Sequence, residues 1–454
     1  MNNIRAGRRV GVTADGTGVV GHAGTLLLAN LADALGLTKG LSDATQHLQQ
    51  RRRRHDPGRV LTQLAVMVAD GGDCLSDLAS LRDEPQLFGE VASDPTAWRV
   101  IASLHSESFR QIAKARATAR AQAWAAGMTP KSITLDIDAT LIGAHSEKED
   151  ARANYKGGFG HHPLCCYLDE TGEALSGVLR PGNANANDAT DHVQVLDDAL
   201  AQLPFEYREG HYQGDVEDDV THSVLVRTDS AGASLKFLSA LRSRNCDYSI
   251  GLPIDHRVRE AILLVDELAW RPAKEADGSQ RDGSWVVELT GLLDLPLLDS
   301  DARVICRRER PHPGAQQSLF DIEWGFRHQC FVTNSRGEIA RLEQRHRAHA
   351  HVEDHIRELK ATGGNNLPFA DVVSNQAWLS LVLIAQDLLA WCRHLLITGA
   401  LRGAEVKRLR YTLLHAAARI ARSGRRVLLR IQQSWPWANE LLIAFRRVEL
   451  IASG

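Results

Sequence analysis

The sequence predicts an α/β protein in which a mixed strand–helix core is interrupted by a β-rich insertion and preceded by a helical N-terminal domain. Three observations predict it. Apolar residues recur at helical spacing through residues 1–128; three strand-like runs then follow in short succession from residue 131; and beyond them helical and strand patterns alternate. At 454 residues and 44% hydrophobic, the chain is long enough for several domains with real cores.

In the N-terminal segment the helical periodicity runs through "AGTLLLANLADALGL", through "PGRVLTQLAVMVADGG" opened by Pro57, and across "DPTAWRVIASLHSESFRQIAKARATARAQAWAAG". The cluster "RRRRHDPGR" between the first two suits either a phosphate contact or a solvated loop. The strand runs are "SITLDIDATLI", "PLCCYLDE" and "EALSGVLRPG", spaced as an antiparallel meander. A helix "DATDHVQVLDDALAQL" follows, capped by Asp188 or Thr190, then strand "SVLVRTD", helix "GASLKFLSALRSR" and strand "CDYSIGL". Three strands followed by helix, strand, helix, strand is the order of a ribonuclease H-like core, whose first part spans 129–253. Residues 254–339 are irregular and strand-rich, and read as the insertion. The core's second part, 340–398, carries the helices "RLEQRHRAHAHVEDHIRELKAT" and "SNQAWLSLVLIAQDLLAWCRHLL", separated by the stop signal "GGNNLP". A basic segment, 399–454, closes the chain.

The formal charge of −3 conceals an uneven distribution. Between Arg393 and Arg447 there are 12 Arg plus Lys against Glu405 and Glu440, a balance that suits a polyanionic partner and makes Arg425 and Arg426 candidate phosphate contacts. Seven scattered cysteines without a C-x-x-C pair point to free thiols in a reducing cytoplasm. The N-terminus lacks the apolar core of a signal peptide, and "AWLSLVLIAQDLLAWC", 16 residues with Gln386 and Asp387, is too short and polar to span a bilayer, so no membrane is expected.

The chemistry is sought in "ITLDIDATLIG". Aspartate is depleted in strands and costly to bury, yet Asp136 and Asp138 both stand on the face opposite Ile133, Leu135 and Ile137. A further carboxylate, Asp229, ends the strand "SVLVRTD". In "HRAHAHVEDHIRELK", His346, His349, Glu353, Arg357 and Lys360 step by 3, 4, 4 and 3 and so share one helical face. Two strand-borne aspartates and a helix-borne glutamate can meet at one sheet edge. Three such carboxylates would repel unless cations neutralise them, and oxygen-only ligands suit two Mg²⁺ or Mn²⁺ ions that assist phosphodiester cleavage. Asp138, Asp229 and Glu353 are the expected ligands and catalytic residues, with Asp136 a fourth candidate ligand.

Over most of its length the chain resembles insertion-sequence transposases of the DDE class, most closely the insertion-sequence thirteen-eighty group. The matching stretches, in order, are "VASDPTAWRVI", "LDIDAT", "HHPLCCYLDETGEALSGVLRPGNANA", "VRTDSAG", "HVEDHIRELK" and "LPFADVVSNQAW". The resemblance implies a ribonuclease H-like core broken by a β-rich insertion, with the family's Asp-x-Thr on Asp138 and Thr140, its second Asp on Asp229 and its Glu on Glu353. It implies a DNA transposase that binds terminal inverted repeats, excises its element through a hairpin end and joins it to target DNA as a synaptic homodimer, in the bacterial cytoplasm at the nucleoid. The wider class carries a Tyr and an Arg where this chain has His346 and His349. Those histidines, with Arg357 and Lys360, are the expected phosphate contacts. Related transposases stack a tryptophan of the insertion on a displaced base; Trp285 and Trp324 are the residues available, and core packing is the better reading for either one.

A stand-alone metal nuclease of the same fold, or a silent DNA-binding descendant, are the other readings, the latter opposed by retention of all three carboxylates. His351 and His355 have a zinc-like i, i+4 spacing but lack a His-Glu-x-x-His order. "GDVEDDV" lacks the ligand pattern of a calcium loop. His161, His162, Asn183, Asn185 and Asn187 fall near the expected metal edge, where turn formation explains the asparagines equally well.

Overall fold

The computed structural model describes residues 11–48, 55–144, 147–185, 188–294, 301–311, 314, 318–424 and 426–453. The arginines at 51–54, Asn187 and Arg425 lie outside the described residues. A two-residue strand, β1 (Val19–Val20), precedes two short helices and α1 (Pro57–Asp70). Asp56 caps α1 by accepting the Arg59 N–H at 2.7 Å, with Pro57 in the first turn where its missing donor costs nothing. The run from Asp94 that reads as one helix is two, Asp94–Ala102 and α2 (Ser106–Ala123). Between them His105 is fully extended while Leu104 is buried, so inward packing outweighs local helical propensity.

The strands β2 (Ile133–Ala139), β3 (Leu164–Leu168) and β4 (Glu173–Val178) form the expected antiparallel meander. After α3 (Ala189–Gln202), capped by Asp188, β5 (Val224–Thr228) pairs in parallel on the free side of β2. After α4 (Leu235–Arg242), β6 (Asp247–Leu252) pairs in parallel with β5. The strand-rich segment then supplies β7 (Arg271–Lys274), β8 (Gln280–Glu288), β9 (Arg303–Glu309) and β10 (Arg327–Thr333), all antiparallel. Because β10 pairs with β6, these four strands continue the core sheet, giving the order β7-β8-β9-β10-β6-β5-β2-β3-β4. They keep an apolar cluster of their own around Trp270, Val304 and Phe320.

Beyond β10 come α5 (Ile339–Arg347), a 3-10 turn (Ala348–Ala350), α6 (His351–Leu359) and α7 (Val372–Trp391). The helical run through α7 reaches Leu396, where the pattern "SNQAWLSLVLIAQDLLAWCRHLL" ends it, and begins slightly earlier, at Val372; contrary to the expectation from its apolar run, it is long and apolar enough to cross a membrane by length and composition. Burial decides its role: 83% of its most apolar window is enclosed by the protein. Asp387 in its middle is wholly buried, accepts from Arg116 and Arg120 of α2 at 2.8 Å each, and takes the Ala174 N–H at 3.1 Å. Glu173 beside it accepts from Arg120 at 3.0 Å, Trp124 at 2.9 Å and Trp391 at 2.7 Å. This polar knot ties α2, β4 and α7 together.

The chain ends in the ribbon β11 (Ala418–Ser423) and β12 (Arg426–Ile431), followed by α8 (Ala438–Ser453); β1 pairs with β11 to complete a second sheet, β1-β11-β12. Buried Asp70, at the end of α1, fastens this sheet to the N-terminal helices. It accepts from His22 Nδ1 at 2.6 Å and His415 Nε2 at 3.2 Å, and from the Thr25 hydroxyl. These bonds hold the Asp70 carboxyl far below the usual carboxylate range despite burial, and the bond to Asp70 raises His415. The raised His415 contributes stability fully present below its unfolded value and lost as pH rises through the folded one; the lowered Asp70 contributes stability lost only in acid. We expect the melting temperature to fall from about pH 6 to about pH 9, and His415→Gln to flatten that dependence. An identical slope in the variant would show that His415 carries no linked proton.

Candidate active site

The parallel register of β2 and β5 builds the site. Asp136 lies opposite Arg227 and Ile137 opposite Thr228, so Asp138 and Asp229 come next to each other as the two strands run out. Adjacent strands sit about 4.8 Å apart. Two carboxylates therefore meet at the C-terminal edge of neighbouring parallel strands. Asp229 also caps the turn Ser230–Gly232, accepting the Ala231 N–H at 2.9 Å. That turn lies hard against β6: a Cβ on Gly251 would come within 2.8 Å of the Ser230 nitrogen and 2.9 Å of the Asp229 carbonyl carbon, so only glycine lets it seat.

Glu353 is exposed in the first turn of α6, and the sheet holds its helix by polar pegs. Arg227, buried, donates to both Asp136 oxygens at 2.8 and 2.6 Å, to Asp169 at 2.7 Å and to the Arg345 carbonyl of α5 at 2.7 Å. His349 donates to Asp136 at 2.8 Å, His351 meets Asp169 at 2.9 Å, and the His355 ring stacks on Tyr167 at 5.2 Å. The i, i+4 pair His351 and His355 thus takes two separate partners.

The electrostatics of Asp138 join the three acids. Burial, then the charge of Asp229, pushes its carboxyl up to about 6; Glu353 adds to the rise, and His349 and the Ala139 N–H oppose it. A half-buried carboxyl raised by two like charges, with oxygen the only donor type, is a set that fits Mg²⁺ or Mn²⁺. The oxygens of Asp138, Asp229 and Glu353 do not all lie within 4.8 Å of one another. Among the described residues, that closeness is reached by His22–Asp70–His415, where Asp70 is already satisfied by hydrogen bonds, and by Asp73–Cys74–Asp77.

Three expectations for site residues are corrected by this geometry. Asp136 does share a face with Asp138, but it is wholly buried with both oxygens held by Arg227 and one also by His349, so it has no free oxygen for an ion. His349 spends its Nδ1 on Asp136 instead of facing DNA. His346 bonds Ser249 at 2.9 Å and stacks on Phe331 at 4.3 Å, and burial drives its pKa down to about 3, so it is an uncharged packing residue. The physical reason is the partners the fold supplies: Asp136 on β2 takes the His349 ring, and Ser249 with Phe331 takes the His346 ring.

Arg357 and Lys360 line an open cleft of about 680 Å³ beside α6, together with Arg393, Arg402 and Lys407 and with the acids Glu358 and Glu405. Arg357 is exposed and paired with Asp354 at 2.5 Å. Arg426 is exposed on β12. Sequence reasoning missed Arg227, Lys156 and Arg180, whereas His162 was among the residues expected near the metal edge. Arg227 is the strut described above. Lys156 is close enough to Lys360 to help burial lower its pKa. His162 feels the charge of Asp229 while burial and Arg180 lower its pKa, and the Arg180 Nε donates to the His162 carbonyl at 2.9 Å. The signal for Arg227 was a charged residue inside a strand otherwise made of Val and Leu. Trp285 packs edge-on to Phe326 at 5.8 Å under Arg308, whereas Trp324 is 49% exposed.

The family description "Transposase DDE domain group 1" matches residues 2–453. No curated protein matches the chain. Among solved structures, the cryo-EM structure of a piggyBac transposase synaptic complex with hairpin DNA is similar with a TM-score of 0.40 and 12% identity, over 87% of this chain and 80% of that one.

Proposed function

Because the chain belongs to the transposases with a group 1 DDE domain, we propose that it binds the terminal inverted repeats of a mobile element, excises the element by metal-dependent cleavage and joins it to target DNA by 3′-hydroxyl attack. The observation that carries the reading is the parallel register of β2 and β5, which sets Asp138 beside Asp229 at the sheet's edge, with Glu353 near enough to add to the rise of the Asp138 carboxyl. In this reading Asp138, Asp229 and Glu353 hold two Mg²⁺ or Mn²⁺ ions. Bound there, the ions would activate the attacking oxygen and stabilise the departing one. The remaining work belongs to the chain. Arg227 and Asp136 keep the strands in register beneath the carboxylates, Gly251 seats the Asp229 turn, and Arg357, Lys360 and Lys156 offer cations to the phosphates that flank the scissile bond.

The order β4-β3-β2-β5-β6, antiparallel and then parallel, supports a ribonuclease H-like core, with β7 to β10 as its insertion. Membership in the insertion-sequence thirteen-eighty group, a homodimeric synaptic complex and action at the bacterial nucleoid are part of the same proposal. The test is cleavage of a plasmid carrying the element ends. We expect nicks at the ends in Mg²⁺ or Mn²⁺ and none with a chelator; cleavage that persists without divalent metal would refute the site.

A further inference from the structure

The ribbon β11–β12 carries a charge pattern that the fold does not neutralise. No aspartate or glutamate occurs between Glu405 and Glu440. In the antiparallel register Arg419 stands directly opposite Arg430, and Ser423 opposite Arg426, so these three arginines share one face of the ribbon. The other face buries Ala418 and Ile420 with Val20 and is packed by Leu429 and Ile431. Arg419, Arg426 and Arg430 are all exposed, and none has an ion-pair partner among the described residues. Like charges directly opposite each other destabilise a strand pair. The ribbon keeps this arrangement on an outward face, at the edge of its sheet, without a carboxylate to relieve it.

We propose that this face of the ribbon is a docking surface for duplex DNA, with Arg419, Arg426 and Arg430 meeting successive backbone phosphates. The inference rests on the transposase reading and gives it a second DNA contact, on a sheet separate from the one that carries the three carboxylates. Two features favour DNA as the occupant. A two-stranded ribbon has the width of the B-DNA major groove, so its arginines can reach the phosphates on either rim. A second copy of the chain seated ribbon to ribbon would oppose arginine to arginine, whereas a polyanion removes the repulsion the ribbon carries. Exposed Val427 and Leu428 on the edge strand would otherwise invite strand pairing between copies, and the flanking arginines oppose it.

The test measures affinity of the full-length protein for a random-sequence duplex, without divalent metal, across a salt series. The triple variant R419Q/R426Q/R430Q should flatten the slope of log affinity against log salt by about 2.7, at about 0.9 per phosphate contact, and weaken binding at physiological salt by roughly one to two orders of magnitude. The charge-keeping R419K/R426K/R430K should restore most of the slope. Melting temperature of the glutamine variant should hold or rise, because the Arg419–Arg430 repulsion is gone. An unchanged slope in the glutamine variant overturns the proposal, as does an unchanged slope accompanied by a shift in oligomeric state, which would make the ribbon an interface between copies. Failure of the wild-type protein to bind any duplex at low salt would instead overturn the transposase reading itself.

Discussion

Asp138→Ala, Asp229→Ala and Glu353→Ala are each expected to lower metal-dependent cleavage of element ends by roughly 10²- to 10³-fold or more, the scale on which removing one preorganised electrostatic group acts. DNA binding without metal should persist in all three, because none of these acids belongs to the cationic surfaces. Glu353 is exposed, so its removal should leave the melting temperature nearly unchanged, whereas Asp229→Ala also loses the cap on the Ser230–Gly232 turn and should cost about 1 kcal/mol. Asp138→Ala removes a half-buried carboxyl that is strained by its neighbours and should, if anything, raise stability in the absence of metal. Asp136→Asn provides the contrast. Its loss leaves the buried Arg227 short of a counter-charge, so it should cost on the order of 3 kcal/mol of stability, with any fall in cleavage tracking the loss of folded protein. Full activity in any of the three alanine variants would remove that residue from the site. A cleavage defect in a stably folded Asp136→Asn would return Asp136 to it.

Asp387→Ala should be the most damaging single change to the fold. Asp387 is wholly buried and is the shared acceptor of Arg116 and Arg120, both also buried. Removing it leaves two guanidinium groups facing each other with Glu173 as the remaining nearby acid, and breaking a buried pair from one side costs about 3–5 kcal/mol. Arg116 should suffer most. Burial already lowers its pKa, and Asp387 is the chief group opposing that. Chemical denaturation measures the effect directly, as a lower midpoint at constant slope. A loss below about 1 kcal/mol would mean that water or rearranged side chains compensate the arginines.

Much of the architecture was legible because it is local. The meander β2–β4 and the helices α1 and α3 follow from strand periodicity, helical periodicity and capping residues alone, whereas the approach of Asp138 to Asp229 needs the parallel pairing of β2 with β5. The features that were not legible depend on pairing across distance. Nothing in "ARVICRRER" or "FDIEWGFRHQCFVTN" says that their strands extend the core sheet, since that requires β10 to find β6. Spacing correctly put Asp136 and Asp138 on one face, but only the cross-strand position of Arg227 separates a buried strut from a free carboxylate. The histidine stripe failed for a related reason: the residues that receive it, Phe331 for His346 and Asp136 for His349, come from distant strands that the spacing does not reveal. For α7, periodicity marks the helix but its apolar run reads as too short to span a bilayer, and its buried placement follows from Gln386 and Asp387; the partners that hold Asp387 lie more than 200 residues away.

The central claim, that these carboxylates serve transposition and not simple hydrolysis, is tested most directly by strand joining. Labelled element ends are incubated with the protein, an unlabelled target plasmid and Mg²⁺, and the label is followed into the target. The account predicts joined products that require a free 3′-hydroxyl on the labelled end and vanish with Glu353→Ala. Cleaved ends that never enter the target, with the 3′-hydroxyl intact, would contradict it and identify the protein as a metal nuclease.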